Sequence, residues 1–313
     1  TNIEADNGKY VHLLSQQGIS RQQLIRIRSI LQFFLLDRPQ LPNGQKADIF
    51  NAVANQEATI LLCTEMLESL RNDLDGLGLQ YQPVFASEIL MEGSEDWLTY
   101  SYHDASFGKV FTFVHNFGIK NTASQFSESI KDAAEQAVQD GIWTPQNNLK
   151  EQWPARYLSN IIEVYYGFWE HENSSHYGEY LANTRDSLNL IDPSGVELLE
   201  QFLPEVLDFD IKVHSGFTGI FDLESQELWG AKSQYFQRVG LLGTSSADIY
   251  GNELDNYIQG NASDNFLRGA GGEDTVVFTG IRNEYEVQFT DDGFILFDSK
   301  TNRDGSDYLV EIE

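Results

Sequence analysis

Cysteine and long apolar runs are scarce in this chain. Its single cysteine, Cys63, has no second thiol to pair with, so no intramolecular disulfide can form. The apolar run around Cys63 favours a small core residue over a reactive thiol. No stretch approaches eighteen uninterrupted apolar residues, so we expect no membrane-spanning helix. Stability must then come from a packed core or from bound metal.

Basic residues are also scarce, with 20 Lys and Arg against 48 Asp and Glu and a formal net charge of −28. A surface of this sign repels phosphate, so nucleic acid and anionic membranes are poor partners. Divalent cations, or solubility in salty surroundings, explain the acidic excess better. A solvated acidic surface with no specific partner is the plainer alternative. The chain begins TNIEADNGKY without a basic and apolar leader, so we expect either a removed signal peptide or another export route.

Two common catalytic signatures are missing as well. The sequence has no G-x-S-x-G elbow of the kind that holds a nucleophilic serine. It also has no GxxxxGK loop that could cradle phosphate groups. Neither a serine hydrolase of that type nor a P-loop nucleotide site is predicted.

What the chain does contain is one internal repeat. Between Gly251 and Gly272 it reads GNELDNYIQ, GNASDNFLR and GAGG, two nine-residue units and the start of a third. Each complete unit carries one large aliphatic residue at its eighth place, Ile258 or Leu267. Glycine turns with one inward aliphatic residue per unit predict a narrow parallel β-roll. The alternative is an Asn- and Gly-rich run of tight turns that joins short strands.

The repeat resembles that of RTX proteins, secreted bacterial proteins whose unit is G-G-x-G-x-D-x-U-x and whose turns bind calcium. By this resemblance the candidate calcium ligands are Asp255, Asn256, Asp264, Asn265, Gly272 and Asp274. Asn256 and Asn265 stand at the sixth place, where the family has Asp, and a neutral amide lowers the charge of a calcium site. Asp274 is therefore the best single candidate. A repeat that needs no ion stays a third possibility.

The segment after the repeat predicts antiparallel strands. Tyr285, Val287 and Phe289 alternate with polar residues, and Phe294 and Leu296 resume the alternation after a DDG turn. We expect a hairpin or meander that caps the open end of the roll. This segment also resembles the F-x-G…E-Y…D…RDG-x-D-x-L…I-E tail that often follows RTX repeats.

The first two hundred residues show mainly helical patterns. Ser20 and Gln23 form a capping-box signal before apolar residues at helical spacing. Residues 46–72 are a second helical candidate, and Asp192 followed by Pro193 marks a later helix start. A short strand is predicted around residues 97–102.

From Asp208 onward, Phe, Val and Ile stand between polar residues, and this shift marks the predicted domain boundary. We therefore predict an α+β protein. A mainly α-helical domain covers 1–207, and a β domain covers 208–313, with RTX-like repeats at 243–277 followed by the cap.

The helical part resembles uncharacterised RTX-tailed proteins of marine and cyanobacterial origin, whose helical half carries a zincin-like motif. The matching segments are HDASFGKVFTFVHNFGI from His103, SNIIEVYYGFW from Ser159, LANTRDSLNLIDPSG from Leu181 and FTGIF from Phe217. In a zincin, two histidines one helical turn apart bind zinc, and a glutamate takes a proton from the bound water.

The zincin pattern is degenerate in this chain. Gly108 and Lys109 stand where the resemblance implies two glutamates, and Thr112 stands where it implies the first histidine. Only His115 remains, so zincin catalysis is not expected.

A rearranged zinc site could still use His115 with Glu163 or Glu179, since these residues lie on helices that could pack together. The alternative is that His115 is a satisfied histidine at a half-buried helix end. His171 and His176 lie in the polar loop HENSSH and are expected in solvent. An aromatic cluster is interpreted as core; it consists of Trp153, Tyr157, Tyr165, Tyr166, Phe168 and Trp169.

Two hypotheses about function follow. The first is a secreted, acidic, calcium-binding RTX-like protein without catalysis, acting as a toxin, adhesin or matrix component on an extracellular protein, glycan or surface. The second is a metal-dependent hydrolase or protease with a rearranged site around His115. The sequence names no substrate, receptor or oligomeric state.

Overall fold

The computed structural model describes residues 1–35, 45–147, 149–171 and 175–312. Helices occur together with parallel and mixed sheets, which confirms the broad α+β class. Among the described residues, no helix is both long enough and apolar enough to cross a membrane.

The chain forms two compact units. Unit 1 comprises Thr1–Ile89 and Asp104–Glu205, and unit 2 comprises Leu90–His103 and Val206–Glu313. The predicted boundary at 207/208 lies two residues from the one observed. The sequence analysis had also placed residues 90–103 in the first domain, whereas in the structure they belong to unit 2.

The described helices vary from one turn to more than four. They are α1 (Arg21–Leu35), α2 (Gln45–Asn55), α3 (Glu68–Gly76), α4 (Glu95–Thr99), α5 (Ser106–Val114), α6 (Lys120–Thr122), α7 (Ser124–Gln139), α8 (Trp153–Tyr165), α9 (Arg185–Ile191), α10 (Pro193–Glu200) and α11 (Gly230–Ser233). A π-helical turn, His115–Ile119, joins α5 to α6.

The described strands form three sheets. They are β1 (Asn2–Glu4), β2 (Tyr10–Ser15), β3 (Thr59–Cys63), β4 (Tyr81–Phe85), β5 (Ile211–Val213), β6 (Gly219–Asp222), β7 (Arg238–Leu241), β8 (Ala247–Tyr250), β9 (Tyr257–Gln259), β10 (Phe266–Arg268), β11 (Thr275–Val276), β12 (Tyr285–Phe289), β13 (Gly293–Asp298) and β14 (Ser306–Val310).

Unit 1 contains a four-stranded sheet in the order β1-β2-β3-β4. The β1–β2 pair is antiparallel, and the other two pairs are parallel. Helices α1 and α2 contact β2, while α5 contacts β4 and α8. Helices still hold most of the regular structure of unit 1, but the sequence analysis did not predict this sheet.

The prediction of one continuous helix over residues 46–72 is wrong, since α2 ends at Asn55 and α3 begins only at Glu68. Strand β3 occupies the middle of this range, and all five of its residues are buried. A strand covered on both faces has no alternation of apolar and polar residues, so its sequence resembles a buried helix. The start of α1 was predicted correctly, because Ser20 Oγ accepts the Gln23 N–H and Gln23 Oε1 accepts the Ser20 N–H, both at 3.1 Å.

The predicted strand around residues 97–102 is also wrong, because α4 covers its first three residues and a turn and bends follow. Trp97 is the only fully buried residue of α4. Its ring lies 5.8 Å from the rings of Phe221 and Trp229 and 6.4 Å from that of Phe236. These aromatic contacts explain why the segment belongs to unit 2.

Unit 2 alternates its consecutive strands between two sheets. Strands β5, β7, β9 and β11 are parallel neighbours in one sheet, and β6, β8 and β10 are parallel neighbours in the other. Leu267 pairs with Ile249, and Val276 pairs with Ile258, in both cases eighteen residues apart. One coil therefore holds two nine-residue units. The side chains of Ile258 and Leu267 are fully buried, as predicted.

The segment after the repeat forms the predicted meander. Strands β12, β13 and β14 are antiparallel neighbours. Strand β14 also pairs in parallel with β10, and Leu309 lies opposite Leu267. The meander therefore extends the second sheet beyond the last strand that the repeat supplies.

Candidate functional site

The first and sixth places of each repeat unit contact each other. A Cβ atom at Gly251 would overlap Asn256 Oδ1, and one at Gly260 would overlap Asn265 Oδ1. Only glycine leaves room for the sixth side chain to lie over the backbone of the first place. The repeat glycines here therefore serve close approach, a requirement that adds to turn formation.

The two sixth-place asparagines satisfy their own turns. Asn256 Oδ1 accepts the Asn252 N–H at 2.9 Å, and Asn256 Nδ2 donates to Asn252 Oδ1 at 2.9 Å. Asn265 makes the same pair of bonds to Asn261, at 2.8 and 3.2 Å. Each amide nitrogen also donates to a main-chain carbonyl of the preceding coil. The turn oxygens that could bind a cation, the Oδ1 atoms of Asn252 and Asn261 and the main-chain carbonyls, thus already accept hydrogen bonds from amide nitrogens.

The fifth-place aspartates point outward. Asp255 and Asp264 are exposed. Asp255 Oδ1 accepts the backbone N–H of Glu273, and Asp264 Oδ1 accepts that of Ser306, both at 2.8 Å. Their carboxylates therefore join neighbouring coils, and each keeps one oxygen that these bonds do not use.

The third unit places Asp274 and Gly272 differently. Asp274 is buried, and its Oδ1 accepts the Asn256 N–H at 2.8 Å. Gly272 has φ +93°, and a Cβ there would lie 2.7 Å from the carbonyl carbon of Leu254. Within the described ranges, no group of three or more His, Cys, Asp and Glu side chains could hold a metal ion. Calcium binding at the repeat stays a prediction.

Asp307 extends the series of sixth-place residues, and the sequence analysis did not name it as a ligand. It is 1% exposed, and its Oδ1 accepts the Asn265 N–H at 2.9 Å. Its Oδ2 is buried without a hydrogen-bond partner in the described part of the chain. Burial raises the pKa of Asp307 to about 8, and the carboxylates of Asp304 and Asp264 act in the same direction.

The residues of the tail motif form one network around Arg303. The guanidinium pairs with both Glu284 and Asp298, and it lies 5.0 Å from the centre of the Tyr285 ring. Hydrogen bonding from Arg303 lowers the pKa of Asp298 to about 2. Tyr285 donates its hydroxyl to Asp304. The tail motif is therefore an ionic and aromatic contact set that holds the meander together.

His115 lies in unit 1, at the first residue of the π-helical turn, and is 2% exposed. Insertions of this kind into α-helices are frequent at functional sites. Asn116 Oδ1 lies 3.2 Å from His115 Nδ1, which favours the tautomer with its proton on Nδ1. His115 Nε2 then has a lone pair, and it has no hydrogen-bond partner among the described residues. Burial lowers the pKa of His115, although the Asn116 contact opposes the shift.

His115 is one of the residues that line a cleft of about 480 Å³ that opens to solvent. One face of α7 supplies Ser124, Ser127, Glu128, Lys131 and Glu135, which recur at helical spacing. The other walls come from Lys120, Lys150, Glu151 and Pro154. Three lysines and three glutamates therefore surround the cleft, although the whole chain is strongly acidic.

Glu163 is buried on α8 and accepts three hydrogen bonds. The donors are the Gly108 N–H at 3.1 Å, Trp169 Nε1 at 3.2 Å and His176 Nε2 at 2.8 Å. A Cβ at Gly108 would lie 2.7 Å from Glu163 Oε1. Glu163 thus occupies the space beside Gly108, one of the places where the zincin resemblance implied a glutamate.

The prediction that His176 lies in solvent is wrong, since its side chain is only 13% exposed. Its ring lies 4.7 Å from that of Trp169. No local sequence signal predicts this contact, because the residues next to His176 are polar although tertiary packing covers its ring.

The carboxylate of Glu179 bonds to groups other than His115. Its Oε1 accepts the Gln146 N–H at 2.9 Å and pairs with Arg156. Glu163 bonds to His176, and none of these bonds involves His115. A zinc ion shared by His115 with Glu163 or Glu179 stays a prediction for which the geometry supplies no shared contact.

The sequence analysis missed several residues of the candidate sites. The α7 face could have been found from its spacing, since Ser127, Lys131 and Glu135 recur every fourth residue. The roles of Asp307 and His176 depend on residues far away in the sequence, and no local signal marks them.

Comparisons of the chain with protein-family models, with curated proteins and with solved structures found no significant match.

Proposed function

We propose that this protein is secreted and acts by binding, without catalysis of its own, as a toxin, adhesin or matrix component. In this proposal unit 2 is an RTX-like β-roll whose folding is stabilised by calcium. Its partner is an extracellular protein, glycan or surface, and the net charge of −28 favours a partner other than nucleic acid.

The eighteen-residue period of strand pairing is the observation that carries this proposal. Ile249 pairs with Leu267, and Ile258 pairs with Val276; both pairs are parallel, and they lie in two different sheets. A nine-residue unit therefore advances the chain from one sheet to the other, as a roll with two strands per coil requires.

Calcium would fit best at the last coil. At Asn256 and Asn265 the amide nitrogens already donate to turn oxygens. Asp307 instead has a buried oxygen without a partner among the described residues, and Asp264 and Asp304 are close enough to raise its pKa. Calcium takes about six to eight oxygen ligands, which include main-chain carbonyls and waters, so a single carboxylate can anchor it.

Thermal unfolding with calcium and with a chelator tests the calcium part of this proposal. We expect calcium to raise the Tm of the wild type, because binding to the folded state alone stabilises that state. Asp307→Asn should lose most of this increase, since it removes the anchoring charge. Asp291→Asn, a change at an exposed residue of the DDG turn, is the matched control and should keep the increase. A Tm that neither calcium nor chelator changes would contradict the calcium role.

The hydrolase alternative has less support, because Glu163 and Glu179 bond to partners other than His115. Metal analysis of the purified protein separates the two functions. Stoichiometric zinc that disappears in His115→Ala would favour the hydrolase, whereas calcium alone would favour the binding protein.

A further inference from the structure

The His115 cleft presents unpaired charges of both signs. Lys131 pairs with Glu128 at 2.9 Å. Lys120 and Lys150 form no ion pair with any described carboxylate, and Lys150 lies only over an aromatic ring, 5.2 Å from its centre. Glu135 and Glu151 likewise form no ion pair among the described residues. Two ammonium and two carboxylate groups are thus available to a ligand in one cleft.

The imidazole of His115 adds the need for a hydrogen-bond donor at one position. His115 is almost fully buried, and its Nε2 lone pair has no donor among the described residues. A buried acceptor without a donor costs free energy, on the order of 1–3 kcal/mol, until a partner supplies the hydrogen bond. A ligand in the cleft can supply it with an N–H group.

We propose that the His115 cleft binds a small zwitterion, a free α-amino acid. Its ammonium group donates to His115 Nε2 and faces Glu135, and its carboxylate pairs with Lys120 or Lys150. The volume of about 480 Å³ accommodates an amino acid together with its side chain. This proposal concerns unit 1 alone and does not depend on calcium binding in unit 2.

Other classes of ligand match the cleft less well. A metal cation would face three lysine ammonium groups, which repel it, and among the described residues no three His, Cys, Asp or Glu side chains are grouped to hold one. A simple anion would leave the two unpaired glutamates facing it and would give His115 Nε2 no donor. A zwitterion supplies a carboxylate for the lysines, and an ammonium group for both the glutamates and His115 Nε2, in one molecule.

The first experiment screens the twenty proteinogenic L-amino acids one by one at millimolar concentration by thermal shift, followed by calorimetry on the best ligand. Three derivatives of that ligand then test each contact. Its N-acetyl form lacks the ammonium, its amide lacks the carboxylate, and its N,N,N-trimethyl form keeps both charges but lacks N–H donors. Each should bind at least about tenfold more weakly, since one charge-assisted hydrogen bond is lost. The proposal would be overturned if none of the twenty amino acids bound, or if the derivatives bound as tightly as the parent amino acid.

Variants locate the site. Lys120→Gln and Lys150→Gln should together weaken binding by about tenfold or more, whereas Lys9→Gln, an exposed lysine outside the cleft, should leave the affinity unchanged. The ¹⁵N chemical shift of His115 Nε2 should move on ligand binding in the wild-type protein, a readout that needs no variant at this buried residue. An unchanged shift at saturation, or an equal loss of affinity in Lys9→Gln, would place the ligand elsewhere.

Discussion

Asn256 and Asp274 lie one coil apart in unit 2, and the backbone N–H of Asn256 donates to Asp274 Oδ1 at 2.8 Å. Asn265 and Asp307 make the same contact at 2.9 Å. In both pairs the later residue accepts a main-chain hydrogen from the earlier one. A sixth-place carboxylate therefore joins successive coils by hydrogen bonding, before any ion is considered.

Asn256→Asp should destabilise unit 2 in the presence of chelator. The new carboxylate loses the amide N–H groups that now donate to Asn252 Oδ1 and a main-chain carbonyl, and it faces those oxygens with like charge. We expect a loss of about 1–3 kcal/mol in the free energy of unfolding, measured by urea denaturation. Calcium should restore part of the loss. Asn283→Asp, at an exposed position, is the control, and an equal loss there would refute the hydrogen-bond explanation.

Gly260→Ala should destabilise the protein by about 2 kcal/mol or more, because its Cβ would overlap Asn265 Oδ1 and approach Asp307 Oδ2 to 3.0 Å. Gly76→Ala is the matched control, since a Cβ there meets no atom within 4 Å and the residue ends a helix. Denaturant midpoints of the two variants supply the measurement. Similar midpoints would mean that the first place of the repeat tolerates a side chain.

Asp307 should make stability depend on pH. Its pKa is about 8 in the folded protein and about 4 in the unfolded chain, so between these values the folded state binds the extra proton. In chelator, the free energy of unfolding should therefore fall as pH rises from about 4 to about 8, by an amount on the order of a few kcal/mol, and then level off. Asp307→Asn removes this titration, so its stability relative to wild type should increase with pH.

Calcium provides a second check on the same residue. A bound cation favours the ionised carboxylate, so saturating calcium should flatten the pH dependence of the wild type. Asp291→Asn should follow the wild-type curve at every pH. A parallel curve for Asp307→Asn would show that this carboxyl does not cause the dependence.

Glu163→Gln should destabilise unit 1 by about 2 kcal/mol, because an amide NH₂ would face some of the three donors that the carboxylate now accepts. Since Trp169 Nε1 is one of these donors, its fluorescence emission should also shift. Glu128→Gln, on an exposed face of α7, should change neither quantity appreciably. An unaltered emission maximum in Glu163→Gln would argue against the Trp169 contact.

Capping signals and the repeat period predicted local structure correctly. The capping box at Ser20 marks the start of α1 as expected. Asp192 is the N-cap residue of α10, as expected, and its Oδ1 accepts the Gly195 N–H at 3.1 Å. The inward positions of Ile258 and Leu267 follow from the repeat period alone. These features depend on neighbours within a few residues, and a sequence pattern records such neighbours directly.

Features that depend on distant contacts were not predictable in this way. Strand β3 is buried on both faces, so its run of apolar residues carries no strand period. His115 was identified by its motif position, but its cleft requires α7 and the start of α8 to meet it. The Glu163–His176 contact joins residues whose sequence neighbourhoods, an apolar helix and a polar loop, suggest opposite environments.

The membership of residues 90–103 in unit 2 has a consequence for how the protein is made. Trp97 leaves the ribosome more than a hundred residues before Phe221, Trp229 and Phe236, the rings it packs against. The carbonyl of Trp97 also accepts a hydrogen bond from Lys232. Neither unit can therefore complete its core from one uninterrupted stretch of nascent chain. Cutting the gene at residue 207 would separate Trp97 from its partners, so unit 2 cannot be transferred intact between proteins by a single crossover.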